Sequence, residues 1–181
     1  MGLEIITYPN PILKKISRPV ERFDRELHQL LDQMYQTMIE AEGVGLAGIQ
    51  VGVDRRVLII DLGDEEGNQS PATRLEIINP EFLEWGGTQR YKEGCLSIPG
   101  YYDYVDRYQW VKVKYQDRFG KEHIIEGEGL LAVALQHETD HLDGHLFIER
   151  LDYLRRKKFE KEWKKRLREQ RKKGRGGRGG K

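Results

Sequence analysis

The sequence has a single cysteine, Cys95, among 181 residues, and it has no long apolar run. One thiol cannot form an internal disulfide, which is compatible with a reducing cytoplasm. A transmembrane helix needs about 20 consecutive apolar residues, so we expect no membrane partner. Residues 1–4 lack the basic region that opens a secretory signal, and Ile6 does not fit the myristoylation pattern. We therefore expect a cytoplasmic protein of one domain with an appendage.

The net charge is only +1, but the two signs are segregated along the chain. Residues 154–181 contain 15 Lys or Arg and 3 Asp or Glu, a net charge of +12. Residues 1–153 contain 16 basic and 27 acidic side chains, a net charge of −11. An acidic body with a strongly basic end predicts a polyanionic partner, and an RNA-rich one is favoured over a helix kept only for solubility.

Apolar periodicity divides the chain into a helix, a series of strands and a second helix. Leucines and methionines at helical spacing predict an amphipathic helix over 25–42, which Asp24 caps and Gly43 ends. Alternating or continuous apolar runs predict strands at 57–62, 75–78, 82–85, 101–105, 108–115 and 122–125. The coarse order is a helix, several antiparallel strands and a helix in the core.

The most informative stretch is the HExxH sequence from His137 to His141. On a helix this spacing places two imidazoles one turn apart on one face, with the Glu138 carboxylate beside them, which suits a metal ion and a water molecule. The preceding residues 129–135 are apolar helix formers, so we expect a buried helix that Gly144 ends. Charged groups on such a helix are costly unless they are paired, which favours a metal site over a chance match.

Two histidines need a third protein ligand to make a catalytic metal site. The metzincin pattern fails because Phe147 occupies the position of its third histidine. Cys95 is the best remaining donor, although it could also be a small buried apolar side chain or part of a Cys/His nucleophilic pair. A Cys/His/His set favours iron(II), cobalt, nickel or zinc without choosing among them.

A glycine-rich run from Gly43 to Gly48 formally matches the dinucleotide-binding pattern GxGxxG. That pattern follows a strand and opens a helix, whereas this run follows a helix and precedes a predicted strand. We instead expect these glycines to let the backbone approach a ligand closely, with the amide of Gln50 at the end of the run.

Three blocks, Gly43–Gln50, Glu93–Ser97 and Gln136–Gly144, together resemble the peptide deformylases. The resemblance covers about 1–150 and implies an α+β fold in which antiparallel sheets surround the HExxH helix. It also implies removal of the formyl group from the N-terminal formylmethionine of nascent polypeptides, usually with Fe²⁺, which Zn²⁺, Ni²⁺ or Co²⁺ can replace. We read 1–150 as the catalytic domain, 151–173 as a basic C-terminal helix that contacts the ribosome, and 174–181 as a disordered Gly/Arg tail. We expect no DNA partner.

The resemblance also implies roles for individual residues. It gives Glu138 as the general base, and Gln50 with the Leu96 N–H as the groups that stabilise the oxyanion. Glu93 and Arg107 form an expected supporting pair, and Asp140 is expected to orient either a ligand histidine or that arginine. The implied metal ligands are Cys95, His137 and His141; the implied backbone partners of the substrate are Val44, Gly45 and Gly94; and the implied walls of an apolar methionine pocket are Val44, Leu130, Val133 and Ala134.

Some positions depart from the family, and two other functions stay open. Gly48 replaces the commoner alanine, and Tyr101 and Tyr102 stand where some members carry a substrate-binding arginine. An HExxH peptidase would cleave unformylated peptides. A ribosome-associated RNA-binding module would hold a purely structural metal, for which four protein ligands are usual.

Overall fold

Three α-helices and seven β-strands form in the computed structural model, which describes residues 2–176. Short 3-10 helices lie at Pro11–Lys14, Gly48–Val51 and Phe147–Arg150. The α-helices are α1 (Arg25–Glu40), α2 (Gly129–Leu142) and α3 (Tyr153–Gly176). The strands are β1 (Gly45–Ala47), β2 (Val57–Ile60), β3 (Leu75–Gly86), β4 (Gln89–Cys95), β5 (Ile98–Arg107), β6 (Trp110–Gln116) and β7 (Glu122–Glu128).

The strands form two antiparallel sheets around α2. One sheet has five strands in the order β1-β2-β3-β6-β7, and the other is the pair β4-β5. Apolar side chains of α2, including Ala132 and Leu135, pack with Leu58, Ile77 and Val113 of the five-stranded sheet. Ionic and polar contacts from β4 and β5 meet the HExxH residues of α2. The predicted α+β class, with sheets surrounding the HExxH helix, is therefore confirmed.

Two predicted strands are one continuous strand in the structure. β3 runs through Asn79 and Pro80 with register shifts at this point, where the sequence predicts a turn. Asn79 adopts a φ of 52°, and its side chain bonds to both the N–H and the carbonyl of Val20. These bonds let the strand bulge and continue instead of ending.

The basic helix α3 is anchored to the body by aromatic residues. Phe159 is 2% exposed and packs against Tyr8 and Tyr101, with ring centroids 5.6 and 4.9 Å away. Arg166 donates to the carbonyls of Pro99 and Gly100. The helix runs to Gly176, three residues beyond its predicted end. The remaining positions of the predicted tail, 177–181, lie outside the described residues.

None of the helices within 2–176 is both long enough and apolar enough to cross a membrane.

Candidate metal centre

Helix α2 and the end of β4 bring three potential metal ligands together. His137 and His141 lie one turn apart on α2, both buried, and their Nε2 atoms are 3.3 Å apart. The Sγ of Cys95, the last residue of β4, lies 3.4 Å from Nε2 of His141. All three ligand atoms lie within 4.8 Å of one another. The structure thus assembles the Cys/His/His set that the sequence suggests.

The geometry of this set fits a divalent metal ion. Tetrahedral bonds of about 2.0–2.1 Å to nitrogen and about 2.3 Å to sulfur place two nitrogens about 3.3 Å apart, and nitrogen and sulfur about 3.6 Å apart. The corresponding separations are 3.3 and 3.4 Å. Burial also lowers the pKa of His141 well below its ordinary value, which keeps that ring neutral and able to bind a cation. Three protein ligands leave one tetrahedral position for water or substrate.

Glu93 fixes the orientation of His137. Its Oε1 lies 2.7 Å from Nδ1 of His137, which favours a proton on Nδ1 and directs Nε2 toward the other ligand atoms. Burial raises the pKa of Glu93, but hydrogen bonds from Arg107 and His137 outweigh it and hold that pKa below its ordinary value. Arg107 also donates to Asp140 at 2.7 Å. The supporting pair expected from the sequence is therefore present, and Asp140 joins it.

Glu138 lies beside the three ligand atoms without a partner for one of its oxygens. Oε1 is 3.7 Å from Nε2 of His137, while the buried Oε2 has no hydrogen-bond partner among residues 2–176. Burial raises the pKa of Glu138 to about 7. A Cβ on Gly45 would lie only 2.7 Å from Oε1, so glycine is needed there for this approach. The carboxylate is thus placed to exchange a proton near neutral pH.

The side-chain amide of Gln50 points at the same cluster. Its Oε1 accepts from the Ala47 N–H at 2.9 Å, which directs Nε2 toward the Cys95 sulfur at 3.5 Å and the Ser97 hydroxyl at 3.0 Å. The Leu96 N–H, next to Cys95, has no backbone acceptor among the described residues. The Gln50 amide is therefore a fixed donor beside the ligand cluster, and the Leu96 N–H is an unused donor one residue from Cys95.

The edge strand β1 presents backbone groups beside Glu138. The Asp61 N–H donates to the Val44 carbonyl, and in an antiparallel pair the next residues, Gly45 and Ile60, form the non-hydrogen-bonded pair. The N–H and carbonyl of Gly45 therefore face away from β2. Gly94 lies on β4, and a Cβ there would meet the ring of Tyr102 at 2.3 Å. Both glycines thus lie on strands, β1 and β4, that pair with another strand on one side only.

The four apolar residues predicted to bind methionine differ in exposure. Val44 is 50% exposed and Leu130 is 42% exposed, whereas Val133 and Ala134 are buried on α2. The first two provide accessible apolar surface near Gly45 and the start of α2. The buried pair is compatible with a pocket floor and equally with core packing.

Sequence reasoning gave no role at the site to Ser97, Ile6 or Tyr8. Ser97 is fully buried. Its hydroxyl accepts from the Gln50 amide, and its backbone carbonyl accepts from the Tyr8 N–H at 2.7 Å. The Ile6 N–H donates to the Gln50 carbonyl, also at 2.7 Å. The only sequence signal was that Ser97 closes the block that begins at Glu93. These contacts make the N-terminal segment part of the support of Gln50.

A cavity of about 540 Å³ lies on another side of α2, away from the ligand cluster. Its walls include Trp85, Tyr108, Arg107 and Asp140, but none of the predicted metal, catalytic or substrate residues. Cys95, His137, Glu138 and His141 do not line this cavity, so the chemistry of the ligand cluster lies elsewhere, beside β1 and β4.

Known proteins are similar to this chain in both sequence and fold. Residues 2–157 match the family of polypeptide deformylases. A peptide deformylase of Nautilia profundicola is 69% identical over 171 residues, which cover 94% of this chain and 98% of that protein. One from Wolinella succinogenes is 59% identical over 166 residues, covering 92% and 98%. The crystal structure of a peptide deformylase from Legionella pneumophila is 44% identical with a TM-score of 0.84, covering 94% of this chain and 98% of the other.

Proposed function

The chain belongs to the polypeptide deformylase family and removes the N-formyl group of nascent polypeptides, and we propose that Cys95, His137 and His141 hold the metal ion for this hydrolysis. The observation that carries this proposal is the meeting of one thiol and two imidazoles within 4.8 Å, with the unpartnered Glu138 carboxylate beside them. We further propose that the ion is Fe²⁺, for which Zn²⁺, Ni²⁺ or Co²⁺ can substitute.

A divalent ion bound there supplies Lewis acidity, which polarises the formyl carbonyl and lowers the pKa of a water molecule. Glu138 accepts the proton of the attacking water and later delivers it to the amine nitrogen that leaves. Its raised pKa, about 7, suits both transfers because the carboxylate can gain and lose a proton near neutral pH. Formate and a free N-terminal amine are the products.

Negative charge develops on the formyl oxygen when its carbon becomes tetrahedral. We assign the stabilisation of this charge to Nε2 of Gln50 and the N–H of Leu96. Both donors are held before the substrate arrives: Gln50 by Ala47 and Ser97, and Leu96 by its place in the turn after β4. Little reorganisation is then needed as the charge forms.

The substrate peptide lies along β1 as an added strand in this proposal. Gly45 offers its outward N–H and carbonyl, and Val44 and Gly94 extend the set of backbone partners. Val44 and Leu130 provide accessible apolar surface for the methionine side chain, over a floor of Val133 and Ala134. Residues 1–150 then form the catalytic domain.

We propose that the enzyme is cytoplasmic and that its basic helix, 151–173, contacts the ribosome. Phosphate groups of RNA attract Lys and Arg, and the attraction weakens as salt concentration rises. Phe159 and Trp163 belong to an apolar cluster of the body, so a clean test removes only the residues after Leu167. We expect this truncation to leave peptide deformylation unchanged and to weaken co-sedimentation with ribosomes. If the truncated and full-length proteins co-sediment with ribosomes equally at every salt concentration, the proposed ribosome contact of this helix is wrong.

Two other functions make different predictions. An HExxH peptidase would cleave unformylated peptides, and a structural metal site would normally have four protein ligands. Among the described residues the ligand group has three members, which favours an open, reactive centre.

The test is formate release from formyl-Met-Ala-Ser by anaerobically purified, iron-loaded protein, with Glu138→Gln as the matched control. We expect rapid release by the wild type and a loss of about 100-fold or more in the variant, with its metal retained. Absence of release from metal-loaded wild type would refute the assignment. Cleavage of unformylated Met-Ala-Ser would identify a peptidase.

A further inference from the structure

Gln69 connects two distant parts of the chain through its side-chain amide. It lies in the loop between β2 and β3, and its Nε2 donates to the Gly43 carbonyl at 3.0 Å and to the Asp61 carbonyl at 2.8 Å. Asp61 follows the last residue of β2, and Gly43 lies two residues before the start of β1. One amide therefore holds the two segments at which the β1–β2 ladder ends.

The Asp61 carbonyl is the acceptor that this ladder would otherwise use. Because the Asp61 N–H donates to the Val44 carbonyl at 2.8 Å, the two residues stand opposite each other. A regular antiparallel pair would return a second bond, from the Val44 N–H to the Asp61 carbonyl. Gln69 occupies that carbonyl instead, and the Val44 N–H has no hydrogen-bond acceptor anywhere in 2–176.

Because Val44 is exposed, solvent can accept from its N–H in the free protein, and a ligand that displaces this solvent must supply an acceptor. Val44 is half exposed and adjoins Gly45, whose Cα lies against the Glu138 side chain. A ligand that reaches Glu138 therefore also reaches Val44. The partner chemistry is a main-chain carbonyl oxygen of a bound peptide.

We propose that Gln69 is a positioning residue for substrate: it keeps the Val44 N–H out of the sheet so that this group can donate to a backbone carbonyl of the formylated peptide. The inference rests on the proposed role of β1 as the edge that pairs with substrate. Gln69 itself touches neither the metal ligands nor Glu138, so it acts on peptide binding and not on the reacting atoms.

The loop around Gln69 is ordered by its own hydrogen bonds. Oδ1 of Asp64 accepts from the N–H groups of Glu66 and Asn68, and the Thr73 hydroxyl donates to the Asp61 carboxylate at 2.6 Å. These bonds fix the chain on both sides of Gln69. Its amide is thus held in place before substrate binds, which reduces the entropy cost of binding.

The test compares Gln69→Ala and Gln69→Glu with Asn68→Ala, a control whose side-chain amide contacts only Glu66. Formate release from formyl-Met-Ala-Ser, metal content and thermal unfolding are measured for each. The glutamate has the length of glutamine but offers no donor to the two carbonyls. We expect KM to rise about 2- to 10-fold in both Gln69 variants with kcat and metal content unchanged, because a substrate contact made in ground and transition states alike is weakened.

An unchanged KM in both variants would overturn the proposal, and so would a lowered kcat with KM retained. A wild-type KM in Gln69→Glu alone would assign the effect to packing and would equally overturn it. Hydrogen–deuterium exchange on the wild type gives a second test that needs no variant: Met-Ala-Ser should slow exchange of the Val44 amide. Exchange unchanged by saturating peptide would refute the inference, and with it the pairing of Val44 with substrate, while wild-type formate release would still establish the deformylase activity.

Discussion

Arg107 and Glu93 form a buried two-point ion pair directly behind His137, one of the two histidines proposed to bind the metal. Nε and Nη2 of Arg107 lie 2.8 and 2.9 Å from the two carboxylate oxygens, and the side chains are 5% and 3% exposed. The same carboxylate holds Nδ1 of His137. Removing either partner would leave an uncompensated buried charge in contact with the metal centre.

Replacing Arg107 with methionine should destabilise the protein strongly. We expect a loss of about 3–5 kcal/mol in the free energy of unfolding, measured in urea, because Glu93 and Asp140 lose their buried partner. Arg90→Met is a matched control, since Arg90 forms a two-point pair with Asp106 on the exposed face of the same strand pair. Exposed pairs contribute little, so a similar loss in both variants would contradict the role of burial.

Cys95→Ser and Glu138→Gln should separate metal binding from proton transfer. Serine is a poor ligand for the soft late transition metals, so Cys95→Ser should lose most of its metal and its activity together. Glu138→Gln should keep the metal and lose activity, because the carboxylate is not part of the ligand group. Elemental analysis of the dialysed proteins measures the metal content, and formate release measures the activity. Full metal content in Cys95→Ser would exclude the thiol as a ligand.

Gly45→Ala should reduce activity without removing the metal. The new Cβ would lie 2.7 Å from Oε1 and 2.9 Å from Cδ of Glu138, so this proposed general base must move. Displacement of a catalytic group by about 1 Å can cost about 100-fold in rate. The measurement is kcat on formyl-Met-Ala-Ser, with Gly174→Ala, where a Cβ meets nothing within 4 Å, as control. Wild-type kcat in Gly45→Ala would show that Glu138 tolerates the shift.

Asp61→Asn should destabilise the protein at neutral pH and much less in acid. The buried Asp61 carboxylate accepts from the hydroxyls of Tyr35 and Thr73 at 2.7 and 2.6 Å. Burial raises the pKa of Asp61, but these hydrogen bonds outweigh it and hold that pKa below its ordinary value. A lowered folded-state pKa contributes stability above the unfolded value of about 3.9, and this stability is lost as pH falls through the folded value.

The expected loss for Asp61→Asn is about 1–3 kcal/mol at pH 7, the cost of leaving buried groups poorly paired. Urea unfolding at pH 7 and at pH 3 measures it for variant and wild type. The difference should narrow at pH 3, below the unfolded value of about 3.9, because the unfolded wild-type chain then binds a proton more readily than the folded carboxylate does. A difference of the same size at both pH values would show that the charge of Asp61 contributes nothing.

The helix α2 could be predicted from sequence, whereas the edges of the site could not. Its apolar run and the HExxH spacing are local signals, and the observed helix ends two residues before Gly144, which has a φ of 79°. β4 was not predicted because its residues are mostly polar and only Glu93 is buried, so its structure depends on pairing with β5. β1 is only three residues long, too short for periodicity to be read.

Gln69 shows a second limit of sequence reasoning. The sequence indicates only a polar surface loop there, since nothing in the neighbouring residues marks glutamine as special. Its contacts are two carbonyls, one 26 residues before it and one 8 residues before it. Backbone acceptors carry no side-chain signature, so this contact becomes visible only when the fold brings the segments together.

The shortness of β1 has a consequence for the range of proteins that one enzyme can serve. Three residues of strand span about 10 Å, enough to meet only the first few residues of a chain that lies beside them. Main-chain N–H and carbonyl groups repeat identically in every polypeptide. In the proposed pairing, β1 recognises main-chain groups that all newly made proteins have in common, and a contact of only three residues should let the product dissociate after the formyl group is removed.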